Sequence, residues 1–395
     1  MRPRIVMRTS ALVYTLYFIK NSGHASWQKI KLKKVLVGKT KTPNMKSKIK
    51  MKRVGNIFQQ VISIENLMVA DELARIGKAK CRGVLAHDKN REQNILKLHD
   101  LLKSKTYKTS AYEDFTIIEK KERLISRLPY YPDRIVHHAI INICAPLWRK
   151  IYTKDTHACI RGEGTHGAYR RIKSALRDKE GTRYCLKIDI KKFYPSIDHE
   201  ILKAIIRKKI KDEDLLWLLD EIIDSHSGLP IGNYTSQYFA NLYLSYFDHY
   251  VKEVLGVKYY DRYADDIVFF ASSKDILHGI LESVKAYLKN NLSLMLNDNY
   301  QIFPVADTHK DRRGRGVDYV GYVFYHSEIR IRKYIKKNLC RKAAKINQYN
   351  LDYRHYVAKI CGWLGYIKYT KSNSLLMKIV DSRHYEQIYK KLWKR

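Results

Sequence analysis

Tyr263-Ala264-Asp265-Asp266 sits between two short apolar runs, residues 257–260 and 267–271. Aromatic and β-branched residues fill those runs, which predicts two strands joined by a tight turn at 263–266. Two adjacent carboxylates are costly to bury unless a cation holds them. At the tip of a hairpin they can project toward a hard cation such as Mg2+, which takes oxygen ligands. Taken alone, the four residues also suit a solvated acidic turn.

A second stretch changes that balance. Leu186-Lys187-Ile188-Asp189-Ile190 ends the run 184–190, which is mostly apolar and is expected to be a strand buried on both faces. A lone Asp at a strand end usually caps the next turn. Joined with Asp265 and Asp266, Asp189 completes a three-carboxylate set able to hold two metal ions, which activate a hydroxyl and stabilise an in-line phosphoryl displacement. A third stretch, Gly228-Leu229-Pro230-Ile231-Gly232, lies between the two acidic ones and precedes Gln237. Its glycines allow close approach of the backbone to a nucleotide or base, although such a turn before a helix is common.

The 395-residue chain carries 76 Lys and Arg against 39 Asp and Glu, a formal net charge of +37. Such an excess repels itself unless a polyanion shares the surface. Nucleic acid fits, because each neutralised phosphate releases counterions. The 31 tyrosines add faces on which unpaired bases stack. An anionic membrane surface is the competing partner, but no run is long enough to span a bilayer. The six cysteines are scattered with no C-x-x-C pair, as in free thiols of a reducing cytoplasm. His157, Cys159 and His166 match no standard zinc spacing. Residues 1–50 contain no Asp or Glu and read as a basic leader, disordered or added by an upstream start codon.

The periodicities give an α+β chain. Residues 51–182 are expected to hold a helical N-terminus and a mixed fingers region. Ile57, Val61, Ile64 and Leu67 mark one helical face, and Ile95, Leu98, Leu101 and Leu102 another. Strands are expected at 115–118 and 123–126, and helices at 134–148 and 168–177. Residues 183–325 form an α/β palm, with helices at 200–210, 214–223, 235–254 and 276–288. Strands at 317–325 and 328–331 are expected to pair. Residues 326–395 form a basic thumb of three helices, 334–349, 354–369 and 374–393, suited to tracking a duplex backbone.

Together these stretches resemble the motifs of reverse transcriptases from about Met51 onward. The nearest likeness is to the enzymes of diversity-generating retroelements. It rests on Ile231-Gly232-Asn233-Tyr234-Thr235-Ser236-Gln237, where group II intron enzymes have Gln-Gly and end in Ser-Pro. Tyr131-Pro132-Asp133-Arg134, Arg161-Gly162-Glu163-Gly164-Thr165-His166, Gln301-Ile302-Phe303-Pro304 and Val317-Asp318-Tyr319-Val320-Gly321-Tyr322 also match.

The resemblance implies a right-hand polymerase with an RRM-like palm sheet and a helical thumb. It implies two Mg2+ ions, with Mn2+ as a substitute, on Asp189, Asp265, Asp266 and the Ile190 carbonyl. Tyr194 would lie under the incoming sugar and exclude a 2′-hydroxyl, favouring dNTPs. Arg123 and Arg127, with Lys121 nearby, would clamp the triphosphate. Gly228, Pro230, Ile231, Gly232, Gln237 and Tyr263 would line the nucleotide site, and Arg161, Arg170 and Arg171 would touch template or primer. Copying of a template RNA with errors at adenines is implied. So is a small basic accessory protein, itself oligomeric or not. Asn297-Asp298-Asn299-Tyr300 departs from the pattern, lacking the lysine that many polymerases offer to pyrophosphate. Retron, intron or phage-defence reverse transcriptases are the alternative. A catalytically dead RNA-binding scaffold is disfavoured by three retained carboxylates. A viral RNA-dependent RNA polymerase is disfavoured by Tyr194 and by Tyr-Ala before the Asp pair.

Overall fold

The computed structural model of the protein describes residues 52–118, 122–370 and 372–393. The leader at 1–50 and Lys121 lie outside the described residues. The chain divides into two compact units, one of them Met51–Glu328.

That unit opens with four helices, α1 (Phe58–Ile62), α2 (Ile64–Ala74), α3 (Arg82–Asp88) and α4 (Arg91–Lys103). The single face expected over 57–67 is broken at Ser63. Its backbone leaves the helix (ψ 143°) and its hydroxyl accepts the Asn66 N–H at 3.2 Å, an N-cap. Leu67 turns inward while Ile64 is 36% exposed. Ile95, Leu98 and Leu102 of α4 are buried as the spacing predicts.

A hairpin follows, β1 (Glu113–Ile118) with β2 (Glu122–Arg127), in antiparallel register Ile117↔Arg123 and Glu113↔Arg127. Next come α5 (Ile135–Arg149) and α6 (Gly164–Ala175). His137 and His138 of α5 are both buried, and burial beside Arg134 lowers both to about 3, so they are neutral core residues.

The centre of the unit is a four-stranded antiparallel sheet in the order β4-β5-β3-β6. Its strands are β3 (Tyr184–Asp189), β4 (Tyr259–Tyr263), β5 (Asp266–Ala271) and β6 (Gln301–Pro304). Between β3 and β4 run α7 (His199–Arg207), α8 (Glu213–Asp224), α9 (Ser236–Tyr243) and α10 (Ser245–His249). The one helix expected over 235–254 is thus interrupted at Leu244 and closes in a π turn, Tyr250–Val254. After β5, α11 (Lys274–Leu292) returns across the sheet.

Register assigns each strand residue a face. Leu186, Ile188, Ile267 and Phe269 join Leu277, Leu281, Val284 and Leu288 of α11 in the core. The opposite face carries Lys187, Asp189, Asp261, Tyr263 and Asp266. Lys187 and Asp189 are only half-buried, so β3 is not covered on both faces as its apolar run suggested. Both runs expected at 317–325 and 328–331 form strands, the second as β9 (Ile329–Ile331), and the first is itself a hairpin. There β7 (Val317–Tyr319) pairs with β8 (Tyr322–Phe324), turning at Val320-Gly321, both with positive φ.

The second unit includes Ile329–Arg395. Its described helices are α12 (Lys333–Ile346), α13 (Tyr353–Lys368), α14 (Asn373–Ile379) and α15 (Ser382–Trp393). The third predicted helix is therefore two, parted at Val380, whose backbone is extended. Leu339, Ala343, Ile360, Ile367, Leu376 and Ile388 are buried. No described helix is long and apolar enough to cross a membrane.

Candidate active site

Strand pairing brings the three aspartates together. Asp189 is the last residue of β3 and stands opposite Asp266, the first of β5. Tyr263 also pairs with Asp266, so only Ala264 and Asp265 form the turn. β4 therefore runs three residues further toward the turn, and β5 one, than the apolar runs suggest. A two-residue hairpin favours positive φ, and Ala264 adopts φ +56° without being glycine. Asp265 is held at the tip. Burial, then the neighbouring charge of Asp189, pushes its carboxyl up to about 6, and Arg123 acts in the opposite sense.

Beneath the turn lies a fully buried ion pair. Arg262 points to the core face and grips Asp248 with two hydrogen bonds, Nε to Oδ1 at 2.7 Å and Nη2 to Oδ2 at 2.6 Å. Asp248 also accepts Tyr260 Oη at 2.6 Å and Thr156 Oγ1 at 2.8 Å. The remaining arm of Arg262, Nη1, donates to the Ala264 carbonyl and to Asn241 Oδ1, each at 3.1 Å. The acidic turn is thus fastened to the core by a guanidinium whose charge is compensated.

A second network braces the acidic face. Tyr319 Oη donates to Asp261 Oδ1 at 2.9 Å and to the Asp266 carbonyl at 3.3 Å. His157 Nε2 lies 2.9 Å from Asp261 Oδ2, and its Nδ1 lies 3.3 Å from Glu163. Burial pushes Asp261 up to about 6 against the pull of His157. Burial lowers His157, but the Asp261 hydrogen bond and charge outweigh it, and its pKa is raised. Lys187 Nζ lies 3.1 Å from Asp266 Oδ1 and donates to the Asp318 carbonyl at 2.6 Å.

Asp189 has its own partner, the side-chain amide of Asn297 at 2.7 Å. Ile190 bridges Leu296 in an antiparallel pattern that uses Lys191 N–H and the Asp189 carbonyl. That pattern turns the Ile190 carbonyl to the other side, toward β5. Among the described residues, no three His, Cys, Asp or Glu side chains form a ready-made metal cluster. The fit to a divalent cation lies in the donors: crowded carboxylates, one raised by burial and like charge, on the face that Lys187 already partly neutralises.

The glycine loop meets both neighbours. Leu229 N–H donates to the Tyr194 carbonyl at 2.9 Å, and Gly228 (φ +61°) lies where a Cβ would fall 2.6 Å from the Pro195 carbonyl. Ser126 N–H of β2 donates to the Ile231 carbonyl at 3.1 Å. Gly232 (φ +154°) lies so close that a Cβ would stand 2.1 Å from the Ser126 carbonyl. Gly232→Ala combines overpacking of about 1–3 kcal/mol with strain of about 1–3 kcal/mol. It is expected to undock the β1-β2 hairpin and lower the melting temperature, read by thermal unfolding beside proteolysis of the hairpin.

The other predicted residues are placed as follows. Tyr194 packs its ring on Phe193 (5.5 Å), and burial, with the charges of Cys159, Asp265 and Tyr263, raises its hydroxyl pKa. Arg123 and Arg127 share one face of β2, and Arg127 pairs with Glu113. Ile231 is 37% exposed and Pro230 is buried, its carbonyl accepting Ser236 Oγ at 2.8 Å. Gln237 Oε1 accepts the Cys159 thiol at 2.9 Å. Arg161 and Arg170 are exposed, the latter 3.8 Å from Glu163. Arg171 is committed to the buried Asp155 at 2.8 Å, a bond invisible in the sequence.

A sheet that carries acidic residues at a β3–β5 strand end and a hairpin tip, with a second hairpin docked on a glycine loop, is the arrangement expected of a polymerase palm. The chain belongs to the reverse transcriptase (RNA-dependent DNA polymerase) family, whose description matches residues 108–322. It is 26% identical over 191 residues to the group II intron-encoded protein LtrA of Lactococcus lactis, covering 45% of this chain and 31% of that protein. It is 35% identical over 136 residues to the retron Ec73 reverse transcriptase of Escherichia coli, covering 30% and 43%. The chain thus spans less than half the length of these relatives. Telomerase from Candida albicans, solved with a fragment of telomeric RNA, superposes with a TM-score of 0.44 at 11% identity, covering 74% of this chain and 56% of that one.

Proposed function

We propose that the protein is an RNA-directed DNA polymerase that extends a primer on a template RNA with dNTPs. The observation that carries this reading is the pairing of Asp189 with Asp266 beside Asp265 at the hairpin tip. These side chains and the Ile190 carbonyl would hold two divalent ions. The chemistry two bound Mg2+ ions supply is activation of the primer 3′-hydroxyl and stabilisation of the in-line displacement. Arg123, whose charge reaches Asp265, clamps phosphate oxygens, since a guanidinium binds them bidentately. Tyr194, beside Tyr263 and Asp265, fills the space a 2′-hydroxyl would need. Extension of a DNA primer on RNA with dNTPs and not NTPs tests the reading; NTP use or no extension overturns it.

The finer proposal is copying with errors, as in a diversity-generating retroelement, with a small basic accessory protein as partner. It is supported by the run Ile231 to Gln237. Ile231 is partly exposed next to the docked hairpin and offers no side-chain hydrogen bond to a nascent base pair. A polar contact satisfied only by a well-formed pair is worth about 1 kcal/mol, roughly fivefold in discrimination. Ile231→Gln is therefore expected to lower misincorporation about fivefold, read by sequencing cDNA copied from each template base. An active Gln variant with an unchanged error rate removes Ile231 from the mechanism.

A further inference from the structure

Asn297 occupies the segment where the expected lysine is missing, and it makes two bonds to one residue. Its backbone N–H donates to the Asp189 carbonyl at 2.9 Å, and its side-chain amide donates to Asp189 Oδ2 at 2.7 Å. An ionised carboxylate only accepts, so the amide must present its NH2 to Asp189. The backbone between them is fixed by the Ile190–Leu296 bridge and the Lys191 N–H to Met295 carbonyl bond at 2.8 Å. The donor is thereby delivered at a set place, 108 residues away in sequence.

We propose that Asn297 is a positioning residue that orients the Asp189 carboxylate for a divalent cation, engaging Oδ2 and leaving Oδ1 to the cation. This rests on the polymerase reading only for what the cation is used for. A carboxylate at a strand end can otherwise rotate about its χ angles. The amide removes that freedom before the cation arrives, as outer-shell partners of metal ligands do. Asn297 thus acts on the metal side of the chemistry, in a segment where the resemblance leads one to expect a lysine for pyrophosphate.

The test uses the full chain without nucleic acid and reads Mn2+ affinity by electron paramagnetic resonance. Asn297→Leu and Asn297→Ala both remove the donor but differ in bulk, and both keep the backbone N–H bond. Each is expected to weaken Mn2+ binding about tenfold, with metal-free melting close to wild type. Wild-type affinity in both variants overturns the proposal, as does a loss confined to Ala, which would mark packing. Should neither fold, the Asn297 side-chain amide resonance of the wild-type chain decides. A shift on adding Mg2+ that vanishes in Asp189→Asn supports orientation, and an unmoved resonance overturns it. Primer extension run in parallel separates the two readings. Mn2+ bound through Asp189 without DNA synthesis sinks the polymerase reading alone. An active wild type with unaffected Asn297 variants sinks this one alone.

Discussion

Asp265→Asn is expected to abolish primer extension on an RNA template while RNA affinity stays at the wild-type level. The substitution keeps the size of the side chain and the two-residue turn. It removes a negative charge from the place where burial and the charge of Asp189 already strain the carboxylate. A neutral amide there relaxes the metal-free protein, so folding should not suffer. What is lost is a donor for a hard cation. A single preorganised electrostatic group in an active site is worth roughly 10²–10³ in rate, and a metal ligand belongs at the upper end. RNA affinity comes from elsewhere, since phosphate contacts are made by Lys and Arg and the chain carries a net charge of +37. Filter binding across a salt series, beside single-turnover extension, measures both. Extension near the wild-type rate would remove Asp265 from the active site.

Arg262→Met is expected to have the largest effect on stability. The wild-type guanidinium has no exposure, and neither does the Asp248 carboxylate it grips. Removing one partner strands the other charge in the core, at about 3–5 kcal/mol. That is a large share of the roughly 5–15 kcal/mol by which a domain is stable. The Ala264 carbonyl would also lose its donor, freeing the turn that holds Asp265. The double variant Arg262→Met with Asp248→Leu separates the two effects, because a buried pair replaced by apolar residues is often neutral. It should recover most of the melting temperature yet stay impaired in extension. Full recovery of both would show that Arg262 serves folding only.

The parts of this site that sequence reveals are those made by neighbours along the chain. Tyr263 to Asp266 is a contiguous string flanked by strand-forming residues, and Asp189 ends a run of apolar ones. Their convergence then follows from antiparallel pairing, which needs only the order of the strands. The supports are different in kind. Arg262 reads as one more basic residue until Asp248 comes under it, and His157 meets Asp261 across 104 positions. The Asn297 segment shows in sequence only the lysine it lacks, and the bond to Asp189 carries no local signature. The one signal available for Arg262 was the strand alternation itself, which places it on the core face, where an unpaired charge is not tolerated. Helix ends were lost for a similar reason. The breaks at Ser63, Leu244 and Val380 interrupt runs whose apolar spacing is unbroken.

The joint between the β1-β2 hairpin and the glycine loop includes two main-chain contacts, Ser126 N–H on the Ile231 carbonyl and the Ser126 carbonyl against the bare Cα of Gly232, beside side-chain bonds from Ser126 to His226 and from Asn233 to Tyr112. The Ile231 side chain takes no part in those main-chain contacts, which use only its carbonyl. On the proposed reading, selection can therefore exchange Ile231, and with it the tolerance of mispairs, without renegotiating that main-chain contact. Fidelity would then be an evolvable trait, free to drift where the main-chain seam beside it is not.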